Sequence, residues 1–85
     1  MEHIRLRKTR TESGVYSIET YTNNKVYIGS AVNFSQRIFY QHLYQLRKNT
    51  HHNVHLQNHY NKYGEDDLLF YIIEFIPKKK GMNLF

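Results

Sequence analysis

Gly14-Val15-Tyr16 and Tyr27-Ile28-Gly29 are the two ends of the stretch whose reading decides the fold. Between them Val15, Ser17 and Glu19 alternate with Tyr16, Ile18 and Thr20, a polar Thr22-Asn23-Asn24 segment breaks the run, and Val26-Tyr27-Ile28 resumes it. Period-two alternation on both sides of a polar turn predicts a β-hairpin. A strand sends successive side chains to opposite faces, so Tyr16 and Tyr27 can emerge on one face, each near a glycine that leaves room for close backbone approach. That puts two phenol hydroxyls where a phosphate could lie. Taken alone, the same tyrosines serve equally well as packing residues of an amphipathic core.

Outward from the hairpin the period changes. Asn33 can cap a helix with Gln36 three residues on, and Phe39, Leu43 and Leu46 recur at i, i+4 and i+7, which predicts a helix near 34–48. The polar break Asn49-Thr50-His51-His52 ends it and starts a second helix, in which Leu56, Tyr60 and Tyr63 repeat the spacing before Gly64, a candidate left-handed C′ residue. After Glu65-Asp66-Asp67, the run from Leu68 to Ile76 has strand length and composition, and Pro77 ends it. Strand, strand, helix, helix, strand describes an α+β domain: a three-stranded antiparallel sheet flanked by helices, spanning residues 14–77. Residues 1–13, with Arg5, Arg7, Lys8 and Arg10, read as a basic N-terminal arm or an extra edge strand, and residues 78–85 as a basic tail beginning Lys78-Lys79-Lys80.

With 85 residues there is one small domain, of a size that buries roughly 60% of its unfolded surface. Eight tyrosines and five phenylalanines supply bulky groups for so small a core. The formal net charge of +5 favours anionic partners, nucleic acid foremost. The absence of cysteine excludes disulfides, thiolate zinc sites and a thiol nucleophile. The longest apolar run, Leu68 to Ile73, is far short of the ~20 residues that span a bilayer, and no apolar h-region follows Met1. A soluble intracellular protein is the expectation.

Five ordered segments carry a close resemblance to the GIY-YIG nuclease family, above all to the catalytic domains of intron-encoded homing endonucleases. They are Gly14-Val15-Tyr16, then Lys25-Val26-Tyr27-Ile28-Gly29-Ser30-Ala31, then Asn33-Phe34 leading to Arg37, then His55-Leu56-Gln57, then Asn61-Lys62-Tyr63-Gly64. The resemblance implies metal-dependent hydrolysis of DNA phosphodiester bonds, with double-stranded DNA as partner and Mg²⁺ or Mn²⁺ as cofactor. It makes Tyr16, Tyr27 and Arg37 the catalytic residues, with Gly14, Gly29, Asn61 and Gly64 as structural motif positions, the last two at a helix end. A phenol can position or deprotonate water, and a guanidinium can pair with developing phosphoryl charge.

His42 and His51 are further candidates for catalysis or DNA contact. The family commonly places a histidine four positions beyond the arginine, whereas Arg37 and His42 are five apart. On an α-helix the extra residue turns the side chain by about 100° and leaves Gln41 one turn from Arg37, so His42 reaches the site only if the helix bulges. His51 lies in a cluster with His52, His55 and His59, read as surface histidines touching phosphates, with metal ligation by the cluster as the alternative.

The family's metal-binding glutamate belongs to a helix after the third strand, and its position falls beyond Phe85. The expectation is therefore that the C-terminal helix is missing, that none of the 85 residues is the family's metal ligand, and that cleavage by this chain alone is weak or absent. Glu74 in a strand, Glu65, Asp66 and Asp67 in a turn, and Glu19 on the strand face opposite Tyr16 offer no replacement. Three functions remain open: part of a homing endonuclease, a nuclease-dead DNA-binding module, or a protein that interacts with a nuclease. The abundance of asparagine, lysine, tyrosine and isoleucine fits an AT-rich gene such as an organellar intron or a phage genome, and with the intron-encoded resemblance the expected location is a mitochondrion, a plastid or a phage-infected cytoplasm.

Overall fold

The structure is a computed structural model and describes residues 4, 5 and 10–77. Its strands are β1 (Ile4–Arg5), β2 (Gly14–Thr20), β3 (Val26–Ala31) and β4 (Leu68–Phe75), and its helices are α1, residues 34–47, and α2 (Val54–Tyr63). The expected hairpin is β2 and β3, with Tyr16 opposite Gly29 and Ile18 opposite Tyr27. The Thr20 amide donates to the Lys25 carbonyl and the Asn24 amide to the Thr20 carbonyl, both at 2.9 Å. Asn24 takes φ 55°, a conformation asparagine tolerates better than most residues.

The expected third strand, β4, pairs antiparallel with β2, and the sheet order is β1-β4-β2-β3. Ile4–Arg5 adds a two-residue edge strand on the far side of β4, so the edge-strand reading of the N-terminus applies there. Residues 10–13 are also built into the fold. The Phe34 and Ser35 amides donate to the Glu12 and Arg10 carbonyls, and the Ile76 amide donates to the Ser13 carbonyl, which ties the start of α1 to the end of β4. The remainder of the basic arm, including Arg7 and Lys8, and the tail 78–85 lie outside the described residues.

Both helices cover one face of the sheet. Tyr16, Ile18, Leu68, Phe70 and Ile72 point into that core, where they meet Phe34, Ile38, Leu43, Leu46 and Leu56 from the helices. Each such side chain contributes roughly 1.5–3 kcal/mol by leaving water, enough to hold a sheet whose other face keeps Val26 and Ile28 exposed. Gly14 sits hard against β4: a Cβ there would lie 2.0 Å from the Glu74 carbonyl oxygen. Only glycine permits this backbone contact.

The second helix departs from the expected apolar stripe. Its buried residues are Leu56, Gln57 and His59, Tyr60 packs partly on the core, and Tyr63 is exposed. Two polar side chains occupy inward positions because each finds hydrogen-bond partners there, which offsets their desolvation. Gly64 has the positive φ expected of a helix end, 86°, but its ψ of 176° is extended and leads the chain into the turn Glu65–Asp67 and then β4.

The first helix occupies the predicted span, and the Asn33 carboxamide oxygen accepts from the Gln36 amide at 3.0 Å as the cap predicts. Its interior is not a regular α-helix. Gln36–His42 is π-helical, with the Leu43 amide donating to Ile38 five residues back, and the α-helical pattern resumes at Leu43–Arg47. This change of repeat lets Phe34, Ile38, Leu43 and Leu46 all be buried although Ile38 and Leu43 are five apart.

Candidate active site

A cleft of about 560 Å³ opens between the hairpin, α1 and the start of α2, and Tyr16, Tyr27, Arg37, His42, His51 and His52 line it. Strand alternation delivers both tyrosines, since Tyr27 and Gly29 share the face that Tyr16 occupies across the hairpin. The Tyr16 hydroxyl lies 2.6 Å from His42 Nε2, and the two rings meet edge to face at 5.7 Å. His42 Nδ1 lies 2.7 Å from His51 Nε2. His52, which is exposed, stacks on His51 at 4.5 Å.

The π-helical stretch is what brings His42 here. Five residues make an unfavourable offset on an α-helix, but an i→i+5 repeat returns the fifth residue to nearly the same face, so Arg37 and His42 both reach the cleft. Two intervals of five carried this information in the sequence, Arg37 to His42 and Ile38 to Leu43. Deleting Tyr40, which is 72% exposed, should restore a regular helix while keeping both pairs in register. We expect a stability change of no more than about 1 kcal/mol. Deleting Tyr44 should instead turn Leu46 out of the core and cost about 3 kcal/mol; equal losses in urea denaturation would refute this account of the helix.

Burial favours the uncharged form of Tyr16, His42 and His51. Desolvation raises the Tyr16 phenol above its ordinary value, with the Arg37 guanidinium opposing. Desolvation first, then the neighbouring His51, Arg37 and His52, lowers His42 to about 4. His51 is likewise lowered, chiefly by desolvation. Between pH 6.5 and about 4 the unfolded chain therefore binds a proton at His42 that the folded chain does not. Stability should fall as pH drops through that window, and denaturation midpoints should show a flatter profile for His42→Gln.

Gly29 has a different role from the one its position suggested. A Cβ there would lie 2.5 Å from Tyr16 Cζ and 2.5 Å from its hydroxyl, so Gly29 makes room for the tyrosine ring, not for a backbone. Asn61 is more than a helix end. It accepts from Gln57 Nε2 at 2.9 Å and donates to Asn49 Oδ1 at 3.0 Å, bracing α2 against the residue that terminates α1 with φ 59°.

A family description, the GIY-YIG catalytic domain, matches residues 12–84. The chain belongs to the GIY-YIG family. It is 39% identical over 71 residues to the intron-associated endonuclease 1 of Enterobacteria phage T4, covering 84% of this chain and 28% of that protein. It is 38% identical over 66 residues to a probable intron-encoded endonuclease 1 of Neurospora crassa, covering 78% of this chain and 20% of that one. The chain thus spans about a quarter of the length of these relatives. Among solved structures, the catalytic domain of the homing endonuclease I-TevI superposes with a TM-score of 0.71 at 39% identity, over 81% of this chain and 73% of that one. A mutant of the same domain gives 0.72 at 40% identity, over 81% of this chain and 69% of that one.

The histidine cluster divides on this GIY-YIG scaffold. His42 and His51 face the cleft, but His59 lies apart, buried with Nε2 2.5 Å from Asp67 Oδ2, while Asp67 also accepts from the Thr22 hydroxyl at 2.5 Å. The Thr22 hydroxyl first, and His59 after it, hold the Asp67 carboxyl below its ordinary value. This group clamps the hairpin turn to α2 and is not a phosphate contact. His55 is exposed on α2.

No carboxylate lines the cleft among the described residues. Glu65 forms a two-pronged pair with Arg47, 2.8 Å on each arm, Glu19 accepts from Ser17, and Glu74 is exposed. Nor is any group of three metal-ligating side chains placed to hold an ion among the described residues. The described part of the cleft therefore does not fit a divalent metal, while Arg37, which pairs with no carboxylate among the described residues, fits an anion. No helix of the described residues is long and apolar enough to cross a membrane.

Proposed function

We propose that this cleft binds the backbone of double-stranded DNA and promotes hydrolysis of a phosphodiester bond. The observation that carries the reading is the convergence of Tyr16, Tyr27, Arg37 and His42 on one cleft whose described lining has cationic and neutral polar groups but no acid. Arg37 pairs with the phosphate and opposes charge developing on its oxygens, and the tyrosine hydroxyls hold the phosphate and the attacking water in line. Water adds to phosphorus, the bond to one ester oxygen breaks, and the proton that the water gives up is balanced by one taken up on the leaving oxygen. The phage and fungal relatives support an intron-encoded origin.

Magnesium or manganese is proposed as the cofactor on family resemblance alone, since the described lining of the cleft supplies no carboxylate ligand. For the same reason we expect residues 1–85 to nick supercoiled plasmid only slowly in either ion. Tyr27→Phe should reduce that nicking on the order of 10²-fold with an unchanged melting temperature. The acid-free described lining also favours a second reading, a module that binds DNA without cutting it. In that case affinity should fall steeply with salt while the plasmid stays intact; neither nicking nor salt-dependent binding would sink both readings.

A further inference from the structure

The polarity of the hydrogen bonds behind Tyr16 is set by one backbone amide. The Asn53 N–H donates to His51 Nδ1 at 3.0 Å, and a peptide N–H can only donate. His51 Nδ1 is therefore an acceptor, and the proton of the neutral ring sits on Nε2, which faces His42 Nδ1 at 2.7 Å. That proton makes His42 Nδ1 an acceptor in turn and leaves the His42 proton on Nε2, 2.6 Å from the Tyr16 hydroxyl oxygen. All three hydrogen bonds point toward Tyr16. The phenol receives from His42, so its own proton is turned away from the imidazole.

His51 is held in this pose by a buried amide. The Gln57 side chain accepts from the His51 amide at 3.0 Å and donates to the Leu46 carbonyl at 3.0 Å and to Asn61 at 2.9 Å. Turning His51 to reverse the chain would break the Asn53 contact. Protonating His42 would set two protons against each other across the 2.7 Å contact with His51. The groups facing His42 are Tyr16, Arg37, His51 and His52, and none is an acid that would favour its cation.

We propose that the Asn53 amide, acting through His51 and His42, fixes Tyr16 as a neutral phenol that donates its hydrogen bond to a phosphate oxygen, and not as the base that takes a proton from water. His51 and Gln57 are then positioning residues, and Asn53 acts through its backbone alone. This inference rests on reading the cleft as a phosphodiester site. The raised proton affinity of the Tyr16 phenol agrees with it.

Long-range ¹H–¹⁵N spectra of the whole chain report each imidazole tautomer directly. Both His42 and His51 should carry their proton on Nε2 at pH 7, and ¹³Cζ-labelled Tyr16 should remain a phenol when a short DNA duplex is added. A proton on Nδ1 of either histidine, an imidazolium at His42 at pH 6, or a phenolate at Tyr16 would overturn the proposal. A second test replaces the Asn53 peptide N–H with an ester oxygen by chemical synthesis of the chain. Without that donor His51 can reverse, and His42 should gain at least about tenfold in proton affinity, an upward shift of roughly one pH unit. An unchanged His42 titration would overturn the assignment of polarity to Asn53. If the tautomers are as stated but the duplex produces no shift at Arg37 or Tyr16, the polarity stands and the phosphodiester reading fails.

Discussion

Gly29→Ala is expected to disable the cleft while leaving most of the fold in place. The new Cβ would lie 2.5 Å from both Cζ and the hydroxyl of Tyr16, well inside van der Waals contact. Tyr16 is 5% exposed and held at its tip by His42, so its ring cannot swing aside without giving up that hydrogen bond. Relief by ring displacement should cost about 1–3 kcal/mol of stability, as overpacking generally does. A displacement near 1 Å at a positioning group lowers turnover on the order of 10²-fold, which plasmid nicking would register. A readout independent of turnover is His42 itself: without the Tyr16 hydroxyl oxygen as acceptor for Nε2–H its cation loses support, so it should titrate below its present value of about 4. Nicking and titration both unchanged would show that Tyr16 is not confined as described.

Arg37→Ala should have the largest effect on DNA contact. Arg37 lines the cleft beside Tyr16 and His42, and no described carboxylate neutralises it. Its removal should weaken binding and lessen the slope of log affinity against log salt by about one unit, the loss of one phosphate contact. If the guanidinium also opposes charge in the transition state, nicking should fall by about 10²- to 10³-fold. Because the arginine is only half-buried and forms no ion pair with a described carboxylate, the melting temperature should hardly move. An unaltered salt slope would place the phosphate elsewhere on the domain.

The hairpin and its paired tyrosines were legible because strand geometry has a period of two and admits few alternatives. The helix cap at Asn33 and the limits of β4, from the acidic turn to Pro77, followed from equally local chemistry. The site was less legible where local rules gave way. Taken by α-helical spacing, His42 falls outside the cleft, yet a π-helical stretch carries it in. That stretch persists because it buries Ile38 and Leu43 together and lets His42 meet Tyr16, gains that no single segment contains. Gln57 stood within a recognisable motif, but nothing in its neighbours showed that it would be buried and bonded to three other residues. Of the four clustered histidines, the chain's own folding sent His59 to Asp67 and His51 to His42.

By itself the sequence determined the element order, the sheet face that carries Tyr16 and Tyr27, and membership of the GIY-YIG family, since these depend on side-chain periodicity and on motifs contiguous in the chain. Only the tertiary structure decided which histidines enter the cleft, that Gly29 yields space to a ring, and in which direction the protons behind Tyr16 point. Those outcomes depend on contacts between residues far apart in sequence, where packing and the need to satisfy every buried polar atom override local preference.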